Sequence, residues 1–212
     1  MTSAPARGAR LPRRERRESL LTAAREVFVE SGYHAAAMDE IARRAGVTKP
    51  VLYQHFGSKQ ELYLAVFDAG VEDVIAAVGK GLQSSPDNRS RVAATMDAYL
   101  GFMAQEDAVY RLVFESDLAN LPAVRDRIER VNAQCAQMVS QVIAEDTGLS
   151  PDESCLLAYG LIGLAQTAAR QWLRSSVAID RADAGHLLAS LAWRGISGFP
   201  KNNSQEQAGA AP

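Results

Sequence analysis

The stretch "MDEIARRAGVTKPVLYQHFGSKQELY", residues 38–63, decides the fold. Met38, Ile41, Ala42 and Ala45 recur at helical spacing, and Gly46 follows where a helix needs a left-handed residue to stop. A second helix starts at Thr48, whose hydroxyl is placed to cap the first turn, with Pro50 where a missing N–H costs little. "GSKQEL", 57–62, ends that helix and opens another, with Ser58 as N-cap and Glu61 completing a capping box. Ile41, Ala45, Val47 and Leu52 point to one side. Thr48, Lys49, Pro50, Tyr53 and Gln54 point to the other, with His55 at the end. Two helices joined at a glycine, the second polar on its outer face, are the helix-turn-helix plan. The outer residues supply donors suited to base edges and phosphates in a major groove. Lys49 and Gln54 have the reach and donors to read purines, while Tyr53 and His55 suit backbone contacts.

Outward from this stretch the chain reads as helix throughout. Leu20, Ala24, Val27 and Phe28 form a stripe on a first helix over about 13–31, ended by Gly32. Further helices are expected at about 59–80, 88–105, 108–118, 122–146, 152–175 and 181–198, nine in all. Val124, Ile128, Val131, Cys135, Met138 and Val142 make a core-facing stripe on one of them. The expected fold is all-α. A basic arm (1–12) is expected to be disordered, followed by a three-helix head (13–58) and a helical effector-binding and dimerisation body (59–200). The apolar-poor tail, 201–212, is expected to be disordered.

Charge divides along the same line. Residues 1–60 hold 11 of the 23 basic and 6 of the 25 acidic side chains, leaving 12 and 19 for the rest. A basic head on an acidic body fits a polyanionic partner. Arg7, Arg10, Arg13, Arg14, Arg16 and Arg17 could track phosphates or a minor groove, or only solubilise the chain. The longest apolar run, "LLAYGLIGLA" at 156–165, is half the length of a membrane span, and no apolar stretch follows the first Arg residues. A cytoplasmic location is therefore expected, with Cys135 and Cys155 as reduced thiols. His34, His55 and His186 are scattered, and no catalytic or metal-binding spacing appears. No enzyme activity, metal or cofactor is expected.

"LLTAAREVFVESGYHAAAMDEIARRAGVTKPVLYQHFGSKQELYLAV", 20–66, resembles the DNA-binding region of the TetR family of transcriptional regulators. The resemblance implies that Thr48, Lys49, Tyr53 and His55 meet phosphates or bases, and that Lys59 meets a phosphate at the next helix's N-terminus. It also implies a homodimer built on the last two long helices, a palindromic double-stranded operator and a ligand cavity in the body. Two positions depart from the pattern. Ala36 and Ala37 stand where many members carry Thr, and Pro50 where many carry Gly. "RLPRRERRESLL" (10–21), the head itself and "YRLVFESDL" (110–118) further resemble the FasR-type regulators of fatty-acid synthesis in actinobacteria. That implies a long-chain acyl-CoA effector, with Arg111, Arg125 or Arg174 meeting its phosphates. Candidate cavity residues are Met96, Leu100, Met103, Val113, Phe114, Val131, Cys135, Met138, Val142, Leu157, Leu161 and Leu164. Two alternatives stay open: a DNA-binding protein without a ligand, and a repressor of an efflux or catabolic gene answering another apolar ligand.

Overall fold

The computed structural model describes residues 12–104, 118, 121–174 and 178–196. Among them the chain forms eight helices and no strand. They are α1 (Arg13–Ala35), α2 (Met38–Arg44), α3 (Lys49–His55), α4 (Lys59–Leu82), α5 (Asn88–Met103), α6 (Pro122–Thr147), α7 (Pro151–Arg174) and α8 (Arg181–Ile196). The helix expected over 108–118 lies outside the described residues except for buried Leu118, and so do the arm to residue 11 and the tail from 197.

Helix ends follow local chemistry. Gly32 breaks α1 at φ 72°, ψ 168°, and a last turn carries on to Ala35 beyond the expected end. After α2, Gly46 takes φ 66°. Its N–H donates to Arg43 O at 3.1 Å and that of Val47 to Ala42 O at 2.9 Å, the paired bonds of a Schellman turn. Asp87 caps α5 through the Ser90 N–H (2.9 Å), and Gly148, at φ 70°, ends α6. Ser150 and Glu153 form a capping box on α7: Ser150 N–H donates to Glu153 Oε2 at 2.9 Å and Glu153 N–H to Ser150 Oγ at 3.4 Å.

The stripe Leu20, Ala24, Val27 and Phe28 is fully buried, against Leu62, Tyr63, Val66 and Phe67 of α4. This buried joint binds the head to α4. In the body α4 packs on α5 and α6, α5 on α8, and α6 on α7. The α4–α5 crossing is close because Gly81 has no side chain: a Cβ there would lie 2.5 Å from Thr95 Cα. The α6 stripe is split. Val124 and Cys135 are buried in it, Met138 and Val142 only half-buried, while Ala136 and Ile143 turn into a second small core with Ala158 of α7. A helix gripped on two sides buries two faces, which a single stripe does not capture.

Candidate nucleic-acid interface and effector cavity

Ile41 and Leu52 are fully buried and Phe56 is 1% exposed, so α2 and α3 are pinned by their inner faces. The opposite side of α3 then presents Thr48, Lys49, Pro50, Tyr53 and Gln54 to solvent, with Tyr53 42% exposed. His55 and Lys59 are half-buried at the edge of this face. Thr48 holds the N-cap position, but its side chain makes no capping bond. Its carbonyl instead accepts the N–H groups of Val51 (3.0 Å) and Leu52 (3.1 Å). The hydroxyl expected to cap the turn is not used for that. Ser58 does cap α4, accepting the Glu61 N–H at 3.0 Å, while Glu61 Oε2 accepts from Gly57 N–H at 2.8 Å, one residue before the usual partner.

The charged residues around α3 have distinct settings. Lys49 Nζ reaches Asp39 of α2 at 3.0 Å. Lys59 Nζ donates to His34 O at 3.0 Å and sits 4.9 Å from the Tyr33 ring centre, so it closes the C-terminal end of α1. Burial there lowers its pKa. Arg44 donates to Glu40 (2.8 Å) and Arg43 to Glu40 (2.9 and 2.6 Å) within α2, and Arg44 also donates to Glu30 (2.7 Å), which ties α2 to α1. Hydrogen bonds from Arg43 and Arg44 hold the Glu40 carboxyl down at about 2. Neither Ala36 nor Ala37 caps α2, and Asp39 and Glu40 in its first turn offset that loss by facing the positive helix end.

Arg13, Arg14, Arg16 and Arg17 belong to the first turns of α1, and Arg17 stacks 4.5 Å over the Phe56 ring. Burial, then the charges of Arg13, Arg16 and Arg17, push the His55 pKa down. The start of α1 and the end of α3 therefore share one basic corner.

A cavity of about 100 Å³ lies inside the body. Val74, Val78 and Leu82 of α4 line it with Val92, Thr95, Met96 and Tyr99 of α5. Val131, Asn132, Cys135 and Val139 of α6, Leu161, Ile162, Ala165 and Gln166 of α7, and Ala192 of α8 complete the wall. Of the candidates from sequence, Met96, Val131, Cys135 and Leu161 stand on this wall. Leu100 and Met103 are buried in the main core, and Met138, Val142, Leu157 and Leu164 pack half-buried elsewhere. Val113, Phe114 and Arg111 lie outside the described residues, and Arg125 and Arg174 are exposed. Burial pushes the Cys135 thiol up to about 11, so it is a neutral, inert wall residue. The polar pair Asn132 and Gln166 was missed because the candidates were chosen for being apolar; its only signal was two amides interrupting apolar stripes. Among the described residues no group of three or more His, Cys, Asp or Glu could hold a metal, and no helix is long and apolar enough to cross a membrane.

Residues 20–66 match the family model of bacterial regulatory proteins, tetR family. The HTH-type transcriptional activator FasR of Mycolicibacterium smegmatis is 44% identical over 198 residues, 93% of this chain and 90% of that protein. A TetR-like transcriptional regulator from Rhodococcus sp. RHA1 superposes with a TM-score of 0.69 at 26% identity, over 89% of this chain and all of the other. The fold is shared with the transcriptional regulator FadR from Bacillus subtilis, solved in complex with stearoyl-CoA, at TM-score 0.69 and 18% identity over 86% of this chain and 98% of that one. The chain belongs to the tetR family of bacterial regulatory proteins and is a transcriptional regulator of the FasR type.

Proposed function

We propose that the protein acts as a cytoplasmic homodimer on a palindromic operator, and that a long-chain acyl-CoA bound in the body sets its DNA affinity in control of fatty-acid synthesis genes. One observation carries the reading. α4 is a single helix whose first residue, Lys59, borders the exposed face of α3, and whose later residues Val74, Val78 and Leu82 wall the apolar cavity. Movement at the wall is thereby movement at the head. In this reading 13–58 is the DNA-binding unit and 59–200 the effector and dimerisation unit. Thr48, Lys49, Pro50, Tyr53, Gln54 and His55 face DNA, and Lys59 adds charge at the phosphates.

The dimer reading rests on a row of uncovered apolar groups. Leu156 (74% exposed), Tyr159, Gly160 and Gly163 follow one face of α7, and Leu187 (60%) and Leu191 (59%) one face of α8. A Cβ added at Gly160 or Gly163 would meet nothing within 4 Å, which leaves room for a second copy's helix. A two-fold pair places two α3 helices about 34–36 Å apart, one DNA turn. In a homodimer, Leu187→Asp yields monomers by sedimentation and loses operator binding.

The acyl-CoA reading draws support from the FasR-type resemblance, from the stearoyl-CoA complex of FadR, which shares the fold, and from a greasy wall that is uncharged among the described residues. Ligand sites usually measure about 300–1,000 Å³. A long acyl chain thus enters only if α4 to α7 separate, and that separation is the signal. A gel-shift titration with and without stearoyl-CoA tests it. The reading requires a change in operator affinity of about 5- to 150-fold. No change at saturation leaves a DNA-binding protein without this effector.

A further inference from the structure

A hydrogen bond between two amides lies on the mostly apolar cavity wall. Gln166 of α7 donates from Nε2 to Asn132 Oδ1 of α6 at 2.7 Å, both side chains half-buried. The Thr95 hydroxyl, on a residue of the same wall, donates to Arg91 O at 2.8 Å. Each amide has two functional ends, and one bond between them uses one end of each. The Asn132 amide nitrogen and the Gln166 carbonyl oxygen then have no protein partner among the described residues. If both amides are turned over, one nitrogen and one oxygen are still left. Both residues line the cavity, so the spare amide ends are available to a ligand that enters it.

The pair also has a defined place. α6 runs alongside α4 in the same direction, since Arg127 meets Asp68 and Met138 faces Gly79. Asn132 lies between those two levels, so the pair marks the end of the cavity nearer the head. Among the described residues none that lines the cavity carries a charge.

We infer that Asn132 and Gln166 form a subsite for one uncharged carbonyl of an otherwise apolar ligand, so that the cavity takes a long-chain ester or thioester and rejects the free carboxylate. The ligand's oxygen accepts from the spare amide N–H. The spare amide oxygen beside it repels an anion, and no cation among the described wall residues compensates a buried carboxylate. This rests on the effector reading above, and deepens it by naming the group that is recognised.

The test uses three probes on the full chain by calorimetry: stearoyl-CoA, S-octadecyl-CoA and stearate. The second keeps the chain and the CoA but has a thioether in place of the thioester, so it lacks only the carbonyl. The wild type is expected to bind stearoyl-CoA about tenfold more tightly than the thioether, a typical effect of one good hydrogen bond plus the cost of leaving its partner unmade. Stearate is expected to bind more weakly than either. In the Asn132→Leu, Gln166→Met double variant the two CoA probes should bind equally. Replacing both amides by apolar groups of similar shape is nearly neutral for folding, and the wild-type comparison needs no variant. Equal binding of the two CoA probes by the wild type overturns the subsite while leaving the effector reading in place. So does a preference that survives in the double variant, or tighter binding of stearate. Absence of binding by both CoA probes overturns the effector reading and the subsite together.

Discussion

Arg127 of α6 holds Asp68 of α4 by two hydrogen bonds, Nε to Oδ1 at 2.6 Å and Nη2 to Oδ2 at 3.1 Å. The pair sits on α4 between Lys59, beside the exposed face of α3, and Val74, on the cavity wall. On the head side, Arg25 of α1 reaches Asp73 at 3.1 Å. α4 is thus fastened to the head and to the cavity helices within a few residues.

Arg127→Met should separate coupling from stability. Asp68 is 48% exposed, so losing the ion pair costs about 1 kcal/mol or less, and Met keeps the apolar stem. Operator affinity without ligand should stay near wild type. The shift caused by stearoyl-CoA should shrink, because movement of α6 is no longer carried to α4. Gel shifts with and without ligand check this, and an undiminished shift would count against it.

Two glycines on α4 should respond oppositely to alanine. Gly81→Ala puts a methyl 2.5 Å from Thr95 Cα, forcing α4 and α5 apart, at a cost of about 1–3 kcal/mol. Gly79→Ala meets only the Met138 sulfur at 3.7 Å, and should stabilise by about 0.4–1 kcal/mol through a less free unfolded chain. Urea denaturation of both variants gives the comparison.

Gln54 and Lys59 should differ in kind. Gln54→Ala is expected to relax discrimination at one base pair per half-site by about 1–3 kcal/mol. Lys59→Ala should weaken binding to all sequences alike and lower the salt slope by about one. It should also lower the melting temperature, since Lys59 bonds His34 O. A competition series with altered operators at two salt levels separates the two effects.

The head should weaken in acid through Glu40. Its folded pKa, about 2, lies below the ordinary 4.5, so its stabilising contribution is present above 4.5 and lost as pH falls through 2. Glu30 shifts in the same direction, chiefly through its bond to Arg44. Glu40→Gln should therefore be less stable than wild type at neutral pH, and the two should converge near pH 2. Thermal melts across that range test it.

The parts of the head that were legible in the sequence are local ones. Gly46 needs φ above zero, Ser58 and Glu61 are three residues apart, and Leu52 faces inward while Gln54 faces outward by helical geometry alone. Lys59 shows where that reasoning stops. Its place just after the Ser58 cap followed from spacing, but its bond to His34, 25 residues earlier, depends on how α1 returns to α4. Thr48 shows the same limit in reverse, with its residue type favouring a cap its side chain does not form.

By itself the amino-acid order determined the helical character of the chain, the glycine turn and the polar outer face of α3. Each of these depends on residues within a few turns of one another, where propensity and periodicity act directly. Only the tertiary structure decided that Val74 joins Cys135 and Leu161 around a cavity, that Leu100 does not, and that Asn132 meets Gln166 there. Periodicity says which side of a helix is apolar, whereas packing between helices far apart in sequence decides which neighbour that side meets.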